Sequence, residues 1–323
     1  MNKIKNGKFL IVLFLCLVGF FIANIFIGAV KVPADKIFEP AFFEILKLRL
    51  FRALLAVAAG AGLSVAGVIL QTVLRNPLAE PYVLGVSSGA GLGAVIGLLF
   101  ISIAIGVNIA AFGGGVITIF LVYKLARING RMSSENMIIA GIIVNGFLSS
   151  ILMFFVSNFS GSNIHSVVWW LLGNLQIYKI TPVLTLILAS IAGFLIACVF
   201  SRELNAISLG EEEARHLGID TEKVKIILLL TATFVTSLTV SVCGIIGFSG
   251  LMMPHIARRI TGPDHRILLP ASALMGAAFL LLCDIFSKTM LAPKEIPIGV
   301  ITSFIGVPFF IYILKKSGKA YFK

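Results

Sequence analysis

Few residues in this chain have the types and spacing for chemistry, and most of their groupings lack the context that chemistry needs. Gly85-Val-Ser-Ser-Gly89 has the G-x-S-x-G spacing of a hydrolase nucleophile elbow centred on Ser87. That elbow requires a strand-turn-helix in an α/β sheet, whereas this segment joins two long apolar runs. Gly89, Gly91 and Gly93 have the density of a dinucleotide loop, but no strand precedes them and no βαβ unit follows. No G-x-x-x-x-G-K-[ST] sequence occurs, so any ATP used with this chain is bound by another. The four cysteines, Cys16, Cys198, Cys243 and Cys283, stand singly in apolar stretches with no histidine at ligand spacing, and read as small hydrophobes rather than metal ligands or disulfide partners.

Three polar side chains, Gln71, Asn145 and Asp284, interrupt apolar runs of membrane length. An ionised group at such depth costs about 2.5–3.5 kcal/mol or more, so its default reading is functional. Asp284 lies four residues before Lys288, and an i,i+4 pair would neutralise it; the spacing favours a structural ion pair over a proton relay. His255, between Pro254 and the pair Arg258 and Arg259, reads as a structural group at a membrane border rather than a metal ligand.

The elements that position these groups follow from composition. Hydrophobic residues make up 59% of the 323 positions and charged residues 12%, against about 25% charged in a soluble domain, and the mean hydropathy is +1.06. The apolar surface must face lipid, and the chain reads as one all-α integral membrane domain over residues 1–323. Spans of about 20 residues fit near 9–30, 51–73, 84–104, 109–127, 136–156, 181–200, 226–243, 246–262, 268–287 and 297–314. Gly244, Gly247, Gly250 and Pro254 interrupt the seventh and eighth. The apolar run from Phe9 to Val30 is too long for a signal-peptide core, and Leu15 is too bulky for a lipobox before Cys16, so a first transmembrane helix is expected.

The net charge of +12 is not a nucleic-acid signature, because the basic residues sit in short clusters between spans. With ten spans, 18 of the 26 lysines and arginines fall on the side of the termini, and Lys31, Lys36, Lys47, Arg49, Arg52, Lys179, Lys288 and Lys294 on the other. That bias places both termini in the cytoplasm. The cytoplasmic connection 202–225 contains Ser208-x-x-Glu211, a capping box, and Gly218, a helix stop. It predicts a helix of about nine residues with Leu209, Ala214 and Leu217 as an apolar stripe. After the second span, Pro77 and Pro81 push Asn76 and Glu80 out of the helical region, a break tolerated at membrane depth only when buried or lining a cavity. Gly93-x-x-x-Gly97 supplies a small-residue packing face.

From about Arg49 to Lys315 the chain resembles the FecCD family of ABC importer permeases. The segments carrying the likeness are RLFRALLAVAAGAGLSVAGVILQ, RNPLAEPYVLGVSSGAG, SLGEEEARHLGI, GIIGFSGLMMPHIARRITGPDHRILLPASALMGA and EIPIGVITSFIGVPFFIYIL. The resemblance implies a type II ABC importer permease fold in the inner (cytoplasmic) membrane. It implies two copies of a ten-helix permease, two ATP-binding subunits holding ATP and Mg, and an extracytoplasmic substrate-binding protein, with no cofactor on this chain. The cargo implied is a metal chelate, an iron(III)–siderophore first, haem or cobalamin next. Ser208, Leu209, Gly210, Glu211, Glu213, Ala214, Arg215, Leu217 and Gly218 match the ATPase-coupling helix. Asn76, Pro77 and Leu78 match one part of a cytoplasmic gate, and Ser134 and Glu135 a second, where Glu135 departs from the family's small uncharged residue. Arg49 and Arg52 match an R-x-x-R that salt-bridges to the binding protein, and Lys288 fills a third basic position, though without a bidentate fork. The reading from a different class is an ion-coupled carrier using Asp284 and Asn145; a membrane hydrolase using Ser87 is a distant third.

Overall fold

The structure is a computed structural model that describes residues 3–30, 33, 39–100, 104–128, 131–158 and 162–317. Lys31, Lys36, Lys319 and Lys323, used in the charge count, and residues 101–103 of the third expected span lie outside the described residues.

Apolar runs become helices here because a backbone in lipid must satisfy its own hydrogen bonds. The described helices are α1 (Lys3–Phe26), α2 (Pro40–Val73), α3 (Val86–Phe100), α4 (Ala104–Ala126), α5 (Ser134–Asn158), α6 (Ser162–Leu171), α7 (Ile180–Val199), α8 (Ser201–Leu209), α9 (Glu211–His216), α10 (Thr221–Cys243), α11 (Ser249–Thr261), α12 (His265–Thr289) and α13 (Ile298–Ser317). Between α4 and α5 a two-residue antiparallel ladder pairs Arg127 with Met132 and Ile128 with Arg131. Seven of these helices are long and apolar enough to cross a membrane, and α3 and α13 are shorter apolar helices.

Two expected spans differ. The second begins at Pro40, not near 51, so α2 has 34 residues and a length of about 51 Å. Its added turns carry Glu44, Lys47 and Arg49; Lys47 pairs with Glu44 at 3.1 Å, and Arg49 turns to backbone carbonyls near the end of α1. The span expected at 246–262 is instead a 13-residue helix about 20 Å long, short of a bilayer core by itself. Gly244 at φ 68 ends α10, and residues 244–247 are non-helical before α11 begins.

The second helix is the axis of the molecule, packed by α1, α7, α10, α11 and α12. Two glycines let backbones touch along it. A side chain at Gly60 would strike the Gly276 carbonyl of α12, and one at Gly67 the Gly250 carbonyl of α11. The expected Gly93/Gly97 face behaves the same way, with Gly93 against Ala110 and Gly97 against Val107 of α4. Large apolar side chains of α5 such as Ile139, Ile143, Phe147 and Phe154 project outward. In a water-soluble domain they would form an unsupportable patch; on a membrane helix they face lipid or a neighbour.

Candidate functional site

The candidate gate and docking residues gather at the two ends of α2, separated by the roughly 32 Å that Arg52 and Val73 span along the helix, about the thickness of a bilayer core.

At the carboxyl end, α2 closes through paired bonds: the Asn76 amide donates to the Gln71 carbonyl (3.1 Å) and the Arg75 amide to the Thr72 carbonyl (3.2 Å). This is a Schellman motif, whose left-handed position usually belongs to glycine. Here Arg75 holds it at φ 48. Asn76 then turns the chain, its Oδ1 accepting from the Leu78 amide at 2.8 Å, and leaves Leu78 half exposed. Ser134, at the start of α5, donates to the Val73 carbonyl at 3.2 Å. The two expected gate segments, 76–78 and 134–135, therefore meet at the last turn of α2. Glu135 is exposed beside them.

Sequence reasoning missed two residues that fix this break. Tyr82 Oη donates to the Ile246 carbonyl (2.6 Å) and accepts from the Ile246 amide (3.0 Å), serving both backbone groups of one residue in the non-helical stretch before α11. The Glu80 carboxylate accepts from the amide of Phe248, the residue that starts α11 with φ 65. Burial pushes the Glu80 carboxyl up to about 7. Between about pH 4.5 and 7 the folded protein keeps a proton that the unfolded chain releases, so stability is greatest below this window and is lost as pH rises through it, by up to about 3 kcal/mol. We expect Glu80→Gln to flatten that loss, read as thermal unfolding midpoints in detergent from pH 5 to pH 8. Parallel curves for the variant and wild type would show that another group titrates.

The coupling segment departs from the expected capping box. Ser208 lies inside α8, where its hydroxyl donates to the Asn205 carbonyl at 2.6 Å, and Gly210 breaks the chain at φ 157, ψ 149 before α9. The box cannot form, because Ser208 precedes the break that Glu211 follows. Residues 208–218 are therefore a helix end, a corner and a six-residue helix rather than one nine-residue rod. Gly218 stops α9 as expected, at φ 80, with Ile219 N donating to Ala214 O (3.1 Å) and Gly218 N to Arg215 O (2.9 Å), again a Schellman closure. The expected stripe splits: Ala214 is fully buried, whereas Leu209 and Leu217 are 72% and 68% exposed. Glu212, Glu213 and Arg215 are also exposed. Lys225, buried in α10, ties the corner with 3.0 Å ion pairs to Glu211 and Glu222.

A chain of side chains joins this corner to the candidate gate segment. The His265 amide donates to Asn205 Oδ1 (2.9 Å), and His265 Nδ1 lies 2.7 Å from the same oxygen. That oxygen can only accept, so Nδ1 carries the proton; Nε2 lies 2.8 Å from Thr72 Oγ1, whose single hydrogen is shared between Nε2 and the Val68 carbonyl at 2.9 Å. Asn205 donates its own amide to Asp264 (2.9 Å), which holds the Asp264 carboxyl below its ordinary range. Thr72 stands one helical turn before Asn76.

At the other end of α2, the cations expected to face a partner turn inward. Arg49 donates to the carbonyls of Ile25 (3.2 Å), Phe26 (3.1 Å) and Val30 (2.6 Å), and Lys288 donates to the carbonyl of Asn24 (3.0 Å). Together they satisfy the free carbonyls at the end of α1. Arg52 pairs with Asp284 (2.6 Å) and Glu295 (2.7 Å), and Asp284 also meets Lys288 (3.0 Å), the i,i+4 pair expected from spacing. Asn24 donates to the same carboxylate at 3.0 Å. Arg49, Arg52 and Lys288 are each less than a tenth exposed, so they do not stand out as free docking charges. Ser87 sits in a helix following turns, with no strand before it, and the elbow reading fails.

The FecCD transport family profile matches residues 15–316. The cobalamin import system permease protein BtuC of Halobacterium salinarum is 40% identical over 269 residues, covering 83% of this chain and 72% of the relative. The Fe(3+)-citrate import system permease protein YfmE of Bacillus subtilis is 36% identical, covering 95% and 94%. A solved structure described as an inward-facing conformation of a metal-chelate type ABC transporter superposes with a TM-score of 0.87 at 29% identity, over 96% of this chain and 99% of that one.

Proposed function

The chain belongs to the FecCD transport family, and from that premise we propose that it is the membrane-spanning conduit of an ATP-driven importer of metal chelates, an iron(III)–siderophore first, haem or cobalamin next. It is an ABC permease with the type II permease fold. In the proposed assembly two copies of the chain form the pathway in the cytoplasmic membrane. Two separate ATPase subunits, holding ATP and Mg, sit under the α8–α9 corner, a substrate-binding protein docks at the Arg49/Arg52/Lys288 end, and both termini face the cytoplasm.

The observation that carries this reading is the outward presentation of Leu209 and Leu217 on a corner fixed at both ends. A connector has no reason to expose two leucines while burying the alanine between them and anchoring the turn with Lys225. A fixed corner moves as a rigid body, and the Asn205–His265–Thr72 bonds give that motion a direct contact with the turn that carries Asn76, Pro77 and Leu78.

The alternative, an ion-coupled carrier using Asp284 and Asn145, loses its acid: Asp284 is fully buried and bonded to Arg52, Lys288 and Asn24. The test is reconstitution. The purified chain alone should hydrolyse no ATP. Proteoliposomes holding the chain with its ATPase should accumulate iron(III) chelate only with ATP and binding protein. Uptake by the chain alone, driven by an ion gradient, would sink the reading.

A further inference from the structure

Beside the gate-side end of α2 lies a cleft of about 420 Å³ whose charge the transport reading leaves unexplained. Its lining includes Arg75, Arg258 and Arg259, together with Gln71, Ser208 and His255, and contains no carboxylate. Among the described residues none of the three guanidinium groups is paired with an acid. His255 Nε2 is a buried polar atom with no partner.

The bland explanation is that Arg258 and Arg259, in the last turn of α11, only offset a helix dipole. Magnitudes argue against it. Each helix carboxyl end carries about half a negative charge, so α2 and α11 together supply about one against three full cations. The remaining excess is about two positive charges in a concave site. Arg75 strengthens the case, because it occupies the left-handed position at φ 48 where glycine would avoid a cost of about 1–2 kcal/mol. Strain of this kind gathers where a side chain is needed, and here it holds a guanidinium at the cleft.

We propose that this cleft binds a phosphate-class oxyanion, with Arg75, Arg258 and Arg259 supplying charge and forked donors, and with His255 adding a neutral one. Guanidinium forks match phosphate oxygens bidentately. Basic pockets among membrane helices at the cytoplasmic side take lipid headgroups, so the phosphate comes either from an anionic phospholipid or from free inorganic phosphate. Once bound, it ties the residue before Asn76 to α11, and so clamps the turn that carries the gate segment.

The probe for free phosphate is sodium phosphate against sodium chloride at matched ionic strength, with the thermal unfolding midpoint of the detergent-purified chain as readout. The probe for lipid is dioleoylphosphatidylglycerol against dioleoylphosphatidylcholine, counted as lipid retained in native mass spectra. Arg75→Gly is the decisive variant, because glycine keeps the left-handed closure and the fold while removing the fork. It should weaken binding about tenfold or more, and Arg258→Gln with Arg259→Gln should do likewise. Preferential retention of phosphatidylglycerol, competed by phosphate, identifies a headgroup; protection by phosphate without lipid preference identifies the free anion. Wild type that distinguishes neither phosphate from chloride nor one lipid from the other overturns the proposal, as does a folded Arg75→Gly that binds as tightly as wild type.

Discussion

Replacing both Leu209 and Leu217 by aspartate should leave the permease folded and inserted but abolish its proposed association with an ATPase subunit. The two halves of this expectation come from one exposure pattern. Both leucines stand mostly in solvent, so folding takes nothing from them, and surface substitutions of this kind usually stay within about 0.5 kcal/mol. Buried against a partner, each leucine would contribute about 1.5–3 kcal/mol. Removing two therefore costs about 3–6 kcal/mol, a loss of two to four orders of magnitude in affinity, before the penalty for burying two carboxylates. Ala214→Asp is the contrasting variant: it places a charge in a fully buried site and should damage the fold itself. The measurement is co-purification of the ATPase with tagged permease, alongside the unfolding midpoint of each variant. If the double aspartate variant retains its ATPase at normal stoichiometry, the α8–α9 corner is only a connector.

Much of the architecture was legible because lipid imposes simple rules. An apolar run of twenty residues has few alternatives to a helix, and α1, α4, α5, α7, α10, α12 and α13 fall close to their expected positions. The Asp284–Lys288 pair was readable because i,i+4 neighbours share a helix face whatever surrounds them. The Gly218 stop was equally local. What escaped the sequence depends on distant chain segments. Arg49 and Arg52 looked like residues of an outer border because their acceptors, at Ile25, Phe26, Asp284 and Glu295, lie up to 243 residues away. The capping box failed because a residue pattern cannot say whether Ser208 ends one helix or starts the next. Gly244 and Gly247 announced a break, but the length of helix left after it depended on Tyr82 and Glu80 holding the broken backbone from another loop. His265 was invisible as a link between Asn205 and Thr72, since 60 residues separate it from one and 193 from the other.

Asp284→Asn should be among the most destabilising single substitutions in the chain. The carboxylate is fully buried and compensates two buried cations, Arg52 and Lys288. Its removal leaves Arg52 with Glu295 and the Ser287 hydroxyl, and Lys288 with only the carbonyl and side-chain oxygens of Asn24. Breaking one partner out of a buried pair costs about 3–5 kcal/mol, since the remaining charge stays desolvated, and a whole domain is stable by only about 5–15 kcal/mol. The unfolding midpoint in detergent should fall sharply, with loss of monodisperse protein. Arg52→Gln alone should be destabilising but less so, because Asp284 keeps Lys288 and Asn24 while Glu295 keeps Gln176. Combining the two should cost less than their sum, by about 1–3 kcal/mol of coupling. The same pair of variants separates this clamp from a docking role for Arg49, Arg52 and Lys288. Docking charges would change association with the binding protein in a salt-dependent way while leaving the unfolding midpoint alone. A clamp between α1, α2 and α12 predicts the reverse: lost stability with little response to ionic strength, because the groups are shielded from the solvent ions that screen exposed pairs. Variants that unfold at the wild-type midpoint and bind the partner more weakly at every salt concentration would return these residues to the docking surface.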